Sequence, residues 1–317
     1  MASFITNTLR LDHFEPDRIV TSNLVRPLTL AILRGLICLY TVIVVISVWV
    51  TAESASEYLK FFTNLTYCGL VVYLVCSTIW SVNYLRQPLT NRAHWLKTGS
   101  PWWGYLHWLL YSTVVTYHFI VPIVYWTMLS TGTPMNALGH WQNYSVHAID
   151  GVFALFELCF NRHFLQPIHS VVVAGVMLLY MFLTFVVKET KGTWVYPFLD
   201  WDQGPICVAY YLGIAVGLFV IFFLLLALHR LRNRWLAGRC AKVNKDLGLE
   251  AESESQRVDY GGHRVQPEME TSAGAGNGGS GYHGNQSDST LEEGGVRDTS
   301  KGGQMYYTPF CEIAHFS

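Results

Sequence analysis

The chain has 317 residues, of which 51% are hydrophobic and only 14% charged, with a formal net charge of −1. Soluble domains carry nearer a quarter charged residues, so the composition excludes an ordinary soluble globular protein. The near-neutral balance gives nucleic acid no electrostatic footing, and none is expected as a partner.

Residues 1–26 contain Asp12, Glu15, Asp17 and Arg18 and no early apolar run, so they read as a cytoplasmic N-terminal segment rather than a signal peptide. Six apolar runs follow, at 27–50, 61–82, 104–129, 144–160, 167–187 and 206–228. Each has roughly the 17–25 residues that a bilayer core requires of a helix. The expected architecture is an all-α integral membrane protein, a six-transmembrane-helix bundle over 27–230. Arg34, near the start of the first run, is expected to snorkel to the interface, and Pro122 to kink the third. A basic juxtamembrane segment follows at 231–245. From 246 to 317 the chain is Gly/Ser-rich and too poor in large apolar residues to fold, which predicts a disordered cytoplasmic tail. Its final MYYTPFCEIAHFS regains aromatics, as a docking motif for a protein partner or as an ordinary chain end.

The loops set an orientation. Arg86, Arg92, Lys97, Arg162 and the basic run from Arg230 fall on the side of the N-terminal segment, whereas the other side has only Lys60, Lys188 and Lys191. The positive-inside rule then puts both termini in the cytoplasm. It does not choose between the endoplasmic reticulum and the plasma membrane. Five of the seven cysteines lie in or beside apolar runs and read as small buried side chains; no CxxC spacing suggests a metal, and no cofactor is expected. Cys240, after the basic run, reads as unmodified, with palmitoylation as the alternative.

The fourth run is the anomaly. It is apolar, yet Asn143, His147, Asp150 and Glu157 fall within one sector at 100° per residue. Ionisable groups at membrane depth need a partner or a wet cavity, which makes them functional candidates. Topology brings Thr63 and Thr66 of the second run, Asn143 and His147 of the fourth, and the loop 189–205 to one level of the membrane. A hydroxyl and a neutral imidazole at one level are the minimum for nucleophilic ester chemistry. Asp150, one turn below His147, either orients that base or bonds a neighbouring helix. Glu157 is expected at the interface beside Arg162. His107 and His118 are further candidates for the cavity without a motif, and His169 is expected at the interface. In the loop, Trp194, Tyr196, Phe198 and Trp201 form either an interfacial aromatic belt or, with Pro197 and Asp200, a loop that dips inward to close a cavity.

Three stretches, YLKFFTNLTYCGL, WQNYSVHAIDGVFALFE and GTWVYPFLD, resemble the androgen-induced membrane proteins. The resemblance spans roughly 27–230 and implies a multipass threonine hydrolase of fatty-acid esters of hydroxy fatty acids. The implied nucleophile is Thr63, in Lys60-Phe61-Phe62-Thr63, and the implied base is His147, four residues after Asn143 of Trp141-Gln142-Asn143. Glu157 and the block Trp194–Leu199, followed by Asp200, also match; Asp150 departs from the pattern. Asn143 and Asn64 are candidate oxyanion donors. The substrate implied is a lipid ester delivered from the bilayer, without a cofactor. The chain also resembles the rolling-stone-like membrane proteins. This leaves two alternatives: a non-catalytic protein of cell-surface contact or fusion, and a proton-coupled transporter or lipid carrier using His147, Asp150 and Glu157.

Overall fold

A computed structural model of the chain describes residues 2–246 apart from Gly99, Thr131 and Thr133. The expected tail, the side chain of Cys240 and the terminal aromatic motif lie outside the described residues. Among the described residues the regular structure is helical throughout. Five helices are long and apolar enough to cross a membrane. They are α1 (Pro27–Thr51), α2 (Phe62–Arg86), α3 (Pro101–Val124, extended by a π turn over Tyr125–Leu129), α5 (His169–Lys191) and α6 (Ile206–Asp246). At 1.5 Å per residue, the 25 residues of α1 reach ~37 Å, more than a hydrocarbon core.

Local chemistry sets several ends. Pro27 and Pro101 occupy the first turns of α1 and α3, where a missing N–H costs nothing. Gly192, at φ 72°, ends α5, and its N–H caps the Lys188 carbonyl at 2.9 Å. The fourth run is helical over 137–160 in three pieces, together α4: Ala137–Tyr144, a π turn at Ser145–Ile149, and Asp150–Phe160. It is not among the five, because polar residues and the π turn interrupt its apolar stretch.

The bundle is organised around α3, whose most apolar stretch is 56% buried against 22% for α1, α5 and α6. α2, α4 and α5 pack on α3, and α1 packs along α2. The outward faces stay apolar: Leu28, Ile32, Leu36, Leu39 and Ile43 are exposed along α1, as are Leu178, Leu179 and Phe182 on α5. Contiguous apolar surface of this extent is what a lipid-solvated bundle presents. Pro122 sits three residues before the π turn of α3. A proline there has no N–H for the His118 carbonyl one turn back. α4 approaches that carbonyl at a glycine; a Cβ on Gly151 would stand 3.1 Å from it. The two π turns are therefore carried on helices in close contact.

Two expectations about charge are corrected. Arg34 does not snorkel, and Glu157 does not reach the interface beside Arg162. They form a buried bidentate pair, Nε to Oε1 at 2.8 Å and Nη2 to Oε2 at 2.7 Å, with side chains 0% and 1% exposed. Tyr73 (2.7 Å) and Asn161 (3.0 Å) also donate to Glu157, and Arg34 donates to the carbonyl of Ile19. The N-terminal segment is thus part of the fold, with Leu11, Ile19 and Val20 buried and Phe14 seated on Gly104. Arg162 bonds Asp17 and Thr21, both at 3.0 Å. His169 is also buried, 2.9 Å from the Ser112 hydroxyl. α6 is held by Tyr111 and His229 at 2.7 Å, and by Arg232, which donates to the carbonyls of Leu158, Asn161 and His163.

Removing one partner of a buried ion pair strands the other charge and costs about 3–5 kcal/mol, whereas replacing both with apolar groups is often neutral. Arg34→Met alone is therefore expected to lower the melting temperature in detergent strongly, and Arg34→Met with Glu157→Leu to recover most of the loss.

Candidate active site

Thr63 stands in the first turn of α2, and several bonds fix that turn. Ser54 caps the short helix Ala55–Leu59 by accepting the Glu57 N–H, and the Tyr58 carbonyl accepts the Asn64 amide at 2.9 Å. The first N–H groups of a helix have no partner within it. That of Phe62 donates to two phenols, Tyr196 at 3.0 Å and Tyr180 at 3.2 Å. The Tyr180 O–H donates in turn to the Lys60 carbonyl at 3.0 Å.

His147 lies in the π turn of α4, and its Nε2 is 3.2 Å from the Thr63 hydroxyl. Its Nδ1 is 3.1 Å from the carbonyl of Asn143. A carbonyl only accepts, so Nδ1 carries the ring proton and Nε2 presents a lone pair to the Thr63 O–H. This is the tautomer a general base needs. Tyr125 lies against the imidazole, centroids 3.6 Å apart and planes 18° from parallel. Trp126 donates to the His147 carbonyl at 2.8 Å. Both aromatics belong to the π turn of α3, so two π turns face each other across the histidine. Such turns release carbonyls from the i to i+4 ladder and concentrate at functional sites.

An apolar cavity of about 600 Å³, its open mouth included, is lined in part by Thr63. Val121, Tyr125, Met177, Tyr180, Tyr196 and Phe198 are among its walls. A second apolar groove between α2, α3 and α5 shares Phe62 and Tyr180 with it. Among the described residues no group of three or more His, Cys, Asp or Glu is placed to hold a metal.

The model of the FAR-17a/AIG1-like proteins matches residues 29–230, more than half of the chain. The protein belongs to the FAR-17a/AIG1-like family. It is also similar to the protein rolling stone of Drosophila melanogaster, 24% identical over 192 residues that cover 55% of this chain and 68% of that protein. No solved structure matches it. The match to the FAR-17a/AIG1-like family takes in Thr63, His147 and the loop between α5 and α6, together with the five apolar helices up to residue 230. These findings make it a multipass membrane protein.

Other candidates lie elsewhere. Asp150 is not a hydrogen-bond partner of the His147 ring; its Oδ2 is 2.8 Å from His118 Nδ1, and both side chains are buried. His118 Nε2 in turn faces the Thr66 carbonyl at 3.3 Å. The group that orients His147 is thus the Asn143 backbone, and of the two roles open to Asp150 the bond to a neighbouring helix is the one observed. Asn64 gives one amide N–H to the Tyr58 carbonyl. In the loop, Tyr196 and Phe198 line the cavity, but Trp194, Pro197 and Asp200 do not. Trp194 packs on Phe185 and Trp201, Pro197 opens a 3₁₀ turn, and Asp200 caps the next turn through the Asp202 N–H at 3.1 Å. His107 lies away from the cavity, bonded to Ser77 at 2.8 Å. Tyr125 and Trp126 escaped the sequence reading; the one available signal was an aromatic pair just beyond Pro122.

The chain leading to Thr63 is tied to the end of α5 through Glu57, which Lys60 and Lys191 both contact. Their ammonium groups hold its carboxyl below the usual value. A depressed carboxylate contributes stability above its unfolded pKa of about 4.3 and loses it as pH falls through the lower folded value. Melting temperature measured against pH is expected to fall on that acid side in the wild type, and Glu57→Gln to remove this component.

Proposed function

We propose that the protein is an intramembrane hydrolase of lipid esters, with fatty-acid esters of hydroxy fatty acids as the substrate class, Thr63 as nucleophile and His147 as base. The observation that carries this reading is the Thr63–His147 hydrogen bond at the edge of an apolar cavity, with the Asn143 carbonyl fixing the imidazole as a proton acceptor. α4 is taken as a sixth span, and the Lys and Arg bias as placing both termini in the cytoplasm. Supporting the lipid substrate are the cavity's apolar walls and the apolar groove beside it.

In the reaction, Thr63 Oγ1 forms a bond to the ester carbonyl carbon while its proton passes to His147 Nε2. The tetrahedral intermediate collapses by breaking the bond to the alcohol oxygen, which leaves with the proton from His147. Water then attacks the acyl-threonine, giving its proton to His147. Breakdown returns that proton to Thr63 and frees the carboxylic acid. No cofactor enters these steps.

Purified wild type, Thr63→Ala and His147→Ala are to be compared on a branched fatty-acid ester. The expected result is background turnover for Thr63→Ala and a loss of about 10²–10⁴-fold for His147→Ala, the usual contribution of a general base. Equal turnover in all three would overturn the assignment.

A further inference from the structure

Acyl transfer needs a third component, a donor for the carbonyl oxygen that turns negative as the nucleophile adds. Of the two candidate asparagines, Asn64 gives an amide N–H to the Tyr58 carbonyl, and neither Asn64 nor Asn143 is among the residues that line the cavity. Two phenols stand at the start of α2 beside Thr63. The proton of Tyr180 is committed to the Lys60 carbonyl. Tyr196 is different. Both oxygens accept the Phe62 N–H, but the Tyr196 proton goes to no backbone carbonyl among the described residues, which leaves it to the hydroxyl groups beside it or to a bound oxygen. The polar groups around it are the Thr63 hydroxyl and backbone and the Tyr180 hydroxyl. Its side chain forms part of the same cavity wall as Thr63.

We propose that the Tyr196 hydroxyl is the oxyanion donor of the Thr63 centre, a step that rests on the hydrolase reading above. As the Thr63 Oγ1–carbon bond forms, the carbonyl π pair moves onto oxygen, and the Tyr196 O–H donates to that oxygen without giving up its proton. When the intermediate collapses, the pair returns to the carbonyl. Three features prepare the phenol for this. Donation from the Phe62 N–H polarises its O–H and strengthens it as a donor. Burial raises its pKa above the ordinary phenol value, so it stays neutral. Its ring is stacked on Phe198, centroids 5.2 Å apart and planes 10° from parallel, which fixes its direction. The N-terminus of α2 adds the positive end of a helix dipole at the same point.

The test uses the full chain in phosphatidylcholine nanodiscs. Tyr196→Phe is compared with wild type and Thr63→Ala for kcat and KM on a branched fatty-acid ester, for melting temperature, and for affinity toward a long-chain trifluoromethyl ketone, which forms a tetrahedral adduct with a nucleophile. The expected result for Tyr196→Phe is a kcat lower by about 10²–10³-fold, the cost of one oxyanion donor. KM stays within about threefold, and ketone affinity falls in parallel with kcat/KM. Wild-type kcat in Tyr196→Phe overturns the proposal, as does a loss of kcat with ketone affinity retained. Should Tyr196→Phe fail to fold, 3,5-difluorotyrosine at position 196 supplies the same decision: a rate and ketone affinity indifferent to the more acidic phenol overturn it, and a response in both supports it. Activity retained in Thr63→Ala would mean instead that the underlying hydrolase reading fails.

Discussion

A charged side chain inside a bilayer must find its partner within the protein, and here the Arg34–Glu157 pair meets that condition for most of the molecule. The guanidinium on α1 holds the carboxylate on α4 with two bonds, Tyr73 brings in α2, and the Ile19 carbonyl brings in the N-terminal segment. Four parts of the chain thus meet at one buried charge pair, whose Coulombic attraction is strong only because water is excluded. The pair fixes how α4 is turned within the bundle. With Glu157 facing α1, Asp150 two turns earlier faces His118 on α3, and His147 above it faces Thr63 on α2.

The polar stripe of α4 is therefore three separate bonds to three helices. Spacing of 100° per residue puts Asn143, His147, Asp150 and Glu157 into one sector, and says nothing of which neighbouring helix each one meets. The helix existed as expected, but the π turn at Ser145–Ile149 widens its register between His147 and the residues below it. No propensity in SVHAI announces such a turn. It lies where α4 packs on α3, which carries its own π turn after Pro122. The apolar helices were legible because their runs are long and uninterrupted. Arg34 and Glu157 were misread for the opposite reason: each sits near a helix end, where snorkelling is ordinary, and only the tertiary pairing of distant segments places them inside. In the loop after α5, the sequence presents 194–199 as one aromatic block. Only its tertiary packing separates Tyr196 and Phe198, which face the cavity, from Trp194 and Pro197, which do not.

The centre differs from a carboxylate-based triad in what holds its histidine. A backbone carbonyl fixes the tautomer and the ring direction, as a carboxylate would, but adds no full negative charge to stabilise an imidazolium. In an apolar setting that arrangement avoids burying another charge. In the proposed reaction the work of charge stabilisation would then fall on other groups, the role proposed above for Tyr196 and the start of α2.

The central claim is that Thr63 becomes covalently acylated. Acid-quenching the wild-type protein during turnover of an isotopically labelled branched ester, followed by peptide mass spectrometry, measures this directly. The account predicts the labelled acyl group on the peptide containing Thr63, absent when Thr63 is alanine and accumulating when deacylation is slowed. A label on another residue, such as Ser145, or its absence from Thr63 under conditions that trap an acyl-enzyme while turnover proceeds, would contradict it.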